Sequence, residues 1–324
     1  MQLIEYRKEN LLAGRSRAIV IFFVLGVLCF FSSRVNAEVL GSVITYQDSI
    51  TYDEEEGKLF FPSFVYAEPS REEIYIIDGK GRIIIYTADF FPIHTLGKKN
   101  GIQAPQGMTV DIEGNLYVAQ SATESNPRHR ISVFSPCLEW ERDIYFTGFE
   151  GADLFAPHRL AVDKKGNIYV AANYFPGVLI LDAKGRFLDI MSADEGGKKA
   201  GLTNVTIDNS GRIYLLSEEE GRIYVYDENN KFIFKFGEKG GSTGKLSRPK
   251  AVGIDNKSGR IYTVDYMRHA VSVYDREGVY LFEFGGLGWG EGWFQYPTDI
   301  AVDNSGRIFV ADLFNNRVQI FNSW

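Results

Sequence analysis

One pattern of strands and turns recurs along most of this chain. In its clearest copy, residues 297–321, three runs rich in apolar residues are separated by short segments rich in Asp, Asn and Gly. Apolar and β-branched residues that alternate between such turns predict consecutive antiparallel strands. A hairpin unit of this size buries only one face and is marginally stable alone, so its copies must pack against one another.

Six copies of this pattern follow one another at nearly constant spacing. Each has an aromatic residue at the same place in its second strand, and consecutive anchors are 42 to 52 residues apart: Tyr75, Tyr117, Tyr169, Tyr214, Tyr262 and Phe309. Periods of about 40–50 residues with four strands each are typical of β-propellers. The sequence therefore predicts an all-β, six-bladed β-propeller of four-stranded antiparallel blades.

The last copy lacks a fourth strand, because only three residues follow Phe321. An apolar segment outside the repeat, residues 39–46, precedes the first copy. We expect this N-terminal strand to complete the last blade and close the ring, since closure protects the edges that an open array of strands exposes. The propeller would then span residues 38–324.

Residues 1–37 have the composition of a secretory signal peptide. Four basic residues precede the 14-residue apolar run 18–31, and Val35 and Ala37 form a cleavage-like end. A membrane-spanning helix needs about 20 apolar residues, so we expect cleavage after Ala37. The alternative is an uncleaved anchor that tethers the protein to a membrane through residues 18–31. Both readings predict an exported protein that is periplasmic, secreted or at the cell surface.

Charge and cysteine content restrict the classes of function. The net charge of −7 becomes −10 without residues 1–37, which carry five basic and two acidic side chains. This balance argues against a nucleic-acid partner, which requires a basic surface.

Cys29 lies in the apolar run and Cys137 is alone after it, so no intrachain disulfide is possible in the mature protein. No motif predicts a cofactor.

The repeat resembles the NHL repeat in three short motifs. These are Pro-x-(Gly/small)-Ile-Ala-Val-Asp, then Gly-x-Ile-Tyr-Val-Ala-Asp, then Asn-Arg-Val-x-Ile-Phe. The resemblance covers residues 62–321 and is strongest in the last copy, where Asp312, Asn315, Asn316 and Arg317 stand in the family's order. It implies the six-bladed propeller but no single function, because this fold hosts binding scaffolds and enzymes alike.

The resemblance also implies where an enzyme of this fold would hold its metal. Lactonase-like and lyase-like relatives take ligands from the residue after the proline that opens each inner strand. The corresponding positions here are Ser63, Gln106, His158, Thr203, Lys250 and Thr298. One histidine cannot hold a catalytic zinc, which takes about three protein ligands. Asn204 and Asp299 come one residue later, and strand alternation is expected to turn them to the other side. We therefore predict no metal ligands and no catalytic residues.

The recurring acidic residues have a simpler interpretation. Five aspartates precede Gly-containing turns and are expected to cap them: Asp111, Asp163, Asp208, Asp255 and Asp303. The acidic run 218–220 is expected to be solvated.

Binding is expected on the face that carries the connections between blades and the hairpins between second and third strands. Trp289 and Trp293 lie in the connection 285–295, where the repeat does not explain them. They form either an aromatic contact patch or a cover over the blade junction. The full candidate set is Gln106, His129, His158, Lys250, Trp289 and Trp293.

The sequence thus predicts a non-catalytic binding scaffold, with a protein as the preferred partner. A metal-dependent lactonase-like or lyase-like enzyme is the first alternative. A carbohydrate or cell-wall binder is the second.

Overall fold

A computed structural model describes residues 44–54 and 57–323. Strand β1 (Ile44–Ile50) comes first. Blade 1 contains β2 (Phe64–Glu68), β3 (Glu73–Ile77), β4 (Ile83–Tyr86) and β5 (Pro92–Leu96); blade 2 contains β6 (Pro105–Val110), β7 (Leu116–Gln120), β8 (Arg130–Phe134) and β9 (Trp140–Ile144); blade 3 contains β10 (Pro157–Val162), β11 (Ile168–Ala172), β12 (Val178–Leu181) and β13 (Phe187–Met191). A small hairpin, β14 (Asp194–Glu195) and β15 (Lys198–Lys199), follows blade 3.

The second half of the ring continues the same order. Blade 4 contains β16 (Asn204–Ile207), β17 (Ile213–Ser217), β18 (Arg222–Tyr226) and β19 (Phe232–Phe236); blade 5 contains β20 (Pro249–Ile254), β21 (Ile261–Asp265), β22 (Ala270–Tyr274) and β23 (Tyr280–Gly285); blade 6 contains β24 (Pro297–Val302), β25 (Arg307–Asp312) and β26 (Arg317–Ser323). Single 3₁₀ turns lie at Lys98–Asn100 and Leu313–Asn315. The helices in the described part of the protein are too short to cross a membrane.

The blades form a closed ring. The first strand of each blade contacts the first strand of the next, and β24 of blade 6 contacts β2 of blade 1. Blade 6 has the strand order β1-β26-β25-β24, so the N-terminal strand supplies its outermost position. The predicted six-bladed fold and its closure by an N-terminal strand are confirmed.

The closing strand extends four residues beyond its predicted end. We expected residues 39–46, whereas β1 covers Ile44–Ile50 and residues 39–43 lie outside the described part. An outer strand has one face in water, and Gln47 and Asp48 at the centre of β1 are exposed. The apolar signal is therefore weak where the strand lies. Its inward contacts come from Tyr46, whose ring centroid is 6.2 Å from that of Phe321, and from buried Ile50.

The core lies between the blades. The aromatic anchors are buried, and each cluster of buried side chains joins two neighbouring blades. The repeat couples this core to its turns: the Tyr214 hydroxyl donates to Asp208 at 3.1 Å, and Tyr117 donates to Asp111 at the same distance. Asp208 also accepts from the N–H of Arg212 at 2.9 Å. The prediction that these aspartates cap their own turns is confirmed.

The predicted signal peptide or anchor, residues 1–37, lies outside the described residues, as does Cys29. Among the described residues the cysteine is Cys137, an exposed free thiol.

Candidate binding site at the loop face

The two ends of the propeller differ in the connections that they carry. Because each blade is antiparallel, one end has the connections between blades and the hairpins joining second and third strands. We call this end the loop face. The other end, the turn face, has the hairpins joining first to second and third to fourth strands.

A bulge opens four of the six inner strands. The register shifts at the residue after the proline in β6, β10, β20 and β24, so that residue is extra to the pairing with the second strand. The extra residues are Gln106, His158, Lys250 and Thr298. A bulge bends the strand and re-aims its side chains. Here these four residues line one cavity on the axis.

We call this cavity the bowl. It has a volume of about 670 Å³ and opens on the loop face. Five of the six positions chosen from the sequence line it: Ser63, Gln106, His158, Lys250 and Thr298. The sixth, Thr203, is not in the lining, and its buried hydroxyl has no hydrogen-bond partner. The other lining residues include Lys80, Arg248, Asp78 and Tyr266.

A second group of inner-strand residues lies below the bowl. Its side chains do not follow the strict alternation of sides that we expected along the strands. Asn204 and Asp299 were expected to turn away from the axis. Instead they line a cavity of about 310 Å³ below the bowl, together with Arg159. The bulges before Arg159 and Asp299 break the two-residue period. Asn204 reaches the axis because its amide nitrogen donates to the Lys250 carbonyl of the next inner strand, at 3.3 Å.

Arg159 separates the two cavities, since it lines both. It is 7% exposed, and its Nη1 donates to the Gln106 carbonyl of the neighbouring blade. Its guanidinium lies 5.0 Å from the centroid of the Phe64 ring, and its Nε has no partner. Burial lowers the pKa of Arg159, but a guanidinium stays protonated in proteins.

Asp299 is the acidic residue whose negative charge acts on Arg159 and opposes the lowering of its pKa. It is buried, and it accepts the Val65 N–H at 3.1 Å. Burial raises its pKa to about 6, against the opposing charge of Arg159. The carboxyl group at the lower cavity therefore loses its proton at a higher pH than an exposed aspartate does.

His158 lines the bowl with an uncharged imidazole. Burial, followed by the charges of Arg159 and Lys250, lowers its pKa well below the usual value. Its buried Nδ1 has no hydrogen-bond partner. At physiological pH the imidazole therefore presents an unsatisfied polar group.

Lys250 is held at the rim of the bowl by an ion triad. Its Nζ lies 2.7 Å from Glu218, and Arg248 pairs with the other oxygen of the same carboxylate. Burial opposes ionisation of Glu218, but the hydrogen bonds from Lys250 and Arg248 outweigh it and lower the pKa. The expectation that residues 218–220 are simply solvated is wrong for Glu218, because the fold brings two cations from β20 and its preceding loop beside it.

The two tryptophans take different positions in the connection 285–295. Trp289 is 78% exposed, whereas Trp293 is 51% exposed and its ring packs on Gly286, where a Cβ would come within 2.7 Å of it. The Trp293 carbonyl accepts from Gln319 at 2.7 Å, which fixes the loop. Trp289 is thus exposed to solvent on a fixed loop, whereas Trp293 packs back against that loop.

His129 fastens its own loop and does not line the bowl. Its Nδ1 accepts the Ala122 N–H at 3.1 Å across the hairpin between β7 and β8. The bowl thus unites Gln106, His158 and Lys250, while His129 and the tryptophans lie elsewhere on the loop face.

Sequence reasoning missed an aromatic ridge on the loop face. It runs through consecutive ring contacts with centroid distances of 4.4, 5.5, 5.3 and 4.8 Å, in the order Phe60, Phe61, Phe314, Tyr296 and Tyr266. Phe61 and Tyr296 have φ of 44° and 54°, a strained region for aromatic residues. Phe61 and Tyr296 stand directly before Pro62 and Pro297, at the position where other copies have Ala104, Ala156 or Arg248. That departure from the repeat was the available signal.

Exposed apolar side chains concentrate on the same face. Of the seventeen large hydrophobic side chains that are exposed in the described ranges, nine belong to loop-face connections and three to turn-face hairpins. The nine are Tyr52, Phe60, Leu154, Tyr174, Met267, Leu287, Trp289, Trp293 and Phe314.

The bowl does not have the donors of a metal site. Its lining includes four cationic side chains, and its Asp78 carboxylate is engaged by Arg82 at 2.7 Å. Across residues 44–54 and 57–323, no three His, Cys, Asp or Glu side chains are grouped to hold a metal ion. The residues present therefore do not fit the metal of lactonase-like or lyase-like propellers.

Comparison with known proteins agrees with the architecture. The NHL repeat profile matches residues 294–321, and a profile described as a 6-bladed beta-propeller matches residues 199–281. No curated protein matches the sequence.

Solved structures show the same fold at low sequence identity. An auxiliary nutrient binding protein from Bacteroides ovatus has a TM-score of 0.65 and 15% identity, over 87% of this chain and 77% of that one. One from Bacteroides thetaiotaomicron has a TM-score of 0.66 and 11% identity, over 87% and 76%. A catalytically inactive virginiamycin B lyase from Staphylococcus aureus, with quinupristin, has a TM-score of 0.58 and 12% identity, over 87% and 88%. The chain therefore carries an NHL repeat at residues 294–321 and has the six-bladed β-propeller fold.

Proposed function

We propose that this propeller is an exported, non-catalytic binding scaffold that holds a protein partner on its loop face. The observation that carries the proposal is the uneven distribution of exposed apolar side chains, nine on the loop face against three on the turn face among the described residues. Contiguous exposed apolar surface marks interaction sites, and aromatic side chains dominate their energetics. Export rests on the composition of residues 1–37.

The rigidity of the loop face supports a binding role. The loop that carries Trp289 is fixed by side chains of β26, since Arg317 and Gln319 both donate to the Trp293 carbonyl. The aromatic ridge is a series of packed rings. Recognition by preformed loops loses little conformational entropy on binding, which favours affinity. The two Bacteroides propellers named as nutrient binding proteins are consistent with such a role.

The geometry gives less support to catalysis. In the described part of the protein, no histidine is hydrogen-bonded to a Ser, Thr or Cys side chain, and the donors in the bowl do not fit a metal. An enzyme would need an acid–base pair or an electrophile beside the substrate.

Site-specific photocrosslinking tests the proposal. A benzophenone amino acid replaces Trp289 on the loop face and, as a matched control, Ile112 on the turn face; both side chains are nearly four-fifths exposed, at 78% and 79%. In cells, we expect a discrete crosslinked protein from position 289 and none from position 112. Trp289→Ala with Phe314→Ala should abolish capture by an intact propeller. Equal crosslinking from both faces, or from position 112 alone, would refute the proposal.

A carbohydrate partner is the second candidate, favoured by the aromatic ridge beside a polar bowl. Planar rings next to hydrogen-bonding groups suit sugar rings as well as peptides. Specific glycan-array binding that Phe314→Ala removes, without a crosslinked protein, would support this candidate over a protein partner.

A further inference from the structure

We propose that the bowl binds a carboxylate group of the protein partner, held between Arg159 and Lys250 with Gln106 and His158 beside it. The inference rests on the proposed function, because the partner must approach the loop face. The carboxylate belongs to an acidic side chain or to the C-terminus of a polypeptide.

The charge of the bowl differs from that of the whole protein. Lys80, Arg159, Arg248 and Lys250 line it against the single acidic residue Asp78, whereas the full sequence has a net charge of −7. Asp78 is already engaged by Arg82. A concave site lined mainly by one sign of charge attracts the opposite charge. Glu218 offsets one of the two charges of Arg248 and Lys250, and the cations still outnumber the acids, so the bowl is a local anion site in an acidic protein.

Arg159 has unused donor capacity at the floor of the bowl. Its side chain is more than nine-tenths buried, and its Nε has no hydrogen-bond partner. Leaving such a group unsatisfied is unfavourable, so buried donors are nearly always paired. Nη1 of Arg159 is occupied by the Gln106 and His158 carbonyls, but the side chain lines the bowl as well as the lower cavity, so a group in the bowl can approach the guanidinium.

A carboxylate fits these donors better than other anions. The planar guanidinium matches a carboxylate in a two-bond geometry. The rim already shows this chemistry, since Glu218 is held between Arg248 and Lys250. Tyr266 makes one wall apolar, and Lys250 lies 5.4 Å from its ring centroid. An organic acid can use that wall, whereas inorganic phosphate cannot.

The bowl is large enough for the group that carries the carboxylate. Its volume of about 670 Å³ is within the range of small-ligand pockets. His158 and Gln106 add neutral polar atoms, and the His158 Nδ1 has no partner within the protein. A bound residue would satisfy groups that the fold alone leaves unpaired.

Calorimetric titration of the purified full-length protein tests the inference with small probes. N-acetyl-glutamate methylamide presents a side-chain carboxylate, N-acetyl-alanine presents a terminal one, and N-acetyl-glutamine methylamide is the neutral control. We expect saturable binding of at least one carboxylate probe, with a dissociation constant on the order of millimolar for so few atoms. The stronger of the two identifies the source of the carboxylate. The neutral probe should not bind.

Three variants locate the binding. Lys250→Gln should weaken it about tenfold, the scale of one lost charge-assisted hydrogen bond. Gln106→Glu places a competing carboxylate in the bowl without disturbing the core and should abolish binding. Lys257→Gln removes an exposed lysine from the turn face and should leave binding unchanged.

The inference is overturned by equal binding of the neutral probe, by phosphate binding as tight as the carboxylate probes, or by equal losses in Lys250→Gln and Lys257→Gln. Absence of binding by either carboxylate probe overturns it too. If crosslinking at Trp289 succeeds while the probes fail, only the bowl assignment falls. If the probes bind while no protein crosslinks, the protein scaffold falls instead.

Discussion

Asp299 should make the stability of the propeller depend on pH in an unusual direction. Its folded pKa is raised from 3.8 to about 6, with burial as the main cause. The folded state therefore holds this proton more tightly than the unfolded state. The resulting stabilisation is present below about pH 4 and is lost as the pH rises through about 6. The difference of about two pKa units corresponds to about 3 kcal/mol.

The substitution Asp299→Asn isolates this contribution. Asparagine can still accept the Val65 N–H through its side-chain oxygen, but it does not titrate. We expect the free energy of unfolding of the variant, relative to the natural protein, to increase by about 3 kcal/mol between pH 4 and pH 7. Urea denaturation at constant ionic strength, followed at half-unit pH steps, measures the difference.

Comparison with the variant is necessary because His158 acts in the opposite direction. Its folded pKa is lowered, so its contribution to stability is lost as the pH falls through its usual range. The histidine is present in both proteins, and its effect largely cancels. A pH-independent difference between the two proteins, or one that decreases towards pH 7, would refute the argument that the fold raises the pKa of Asp299.

Three further predictions concern the repeat and its surface. Tyr214→Phe removes the hydrogen bond to buried Asp208 and should lower the free energy of unfolding by about 0.5–1.5 kcal/mol in chemical denaturation; an unchanged midpoint would contradict the coupling of anchor and turn. Gly107→Ala would place a Cβ 2.4 Å from a carbonyl of β10 and should cost about 1–3 kcal/mol, more than Gly253→Ala with its nearest contact at 3.3 Å; equal thermal shifts would contradict this. Cys137 is exposed and should react with a thiol reagent in the native protein; a total of one thiol after denaturation would show that the N-terminal segment has been removed.

The fold was predictable because the same pattern of strands and turns occurs six times in the sequence. In three of the blades the anchor hydroxyl donates to the turn aspartate of the same blade, from Tyr117, Tyr169 and Tyr214. The antiparallel strand order also predicted that the connections between blades and the hairpins between second and third strands lie at the same end of the propeller. The residues after the inner-strand prolines could be named in advance, and Gln106, His158 and Lys250 do meet in one cavity.

The deeper part of the site was not predictable from alternation. Asp299 and Arg159 reach the axis because the strand is bulged, and no residue pattern in the sequence marks that bulge. Glu218 meets Arg248 and Lys250 only because blades 4 and 5 are neighbours. Contacts of this kind depend on tertiary geometry, which local periodicity does not specify.

The strand that completes blade 6 also determines when the ring can form. β1 and β26 are separated by more than 260 residues of sequence, yet they are neighbours in one sheet. Bringing two segments so far apart together costs about 5 kcal/mol of conformational entropy. The last blade therefore cannot assemble until residues 317–323 have been synthesised, and a shorter nascent polypeptide would leave β1 without its partner strand. Under the export proposed above, this delay would keep the polypeptide unfolded, and so able to be threaded across a membrane, until its last strand has been made.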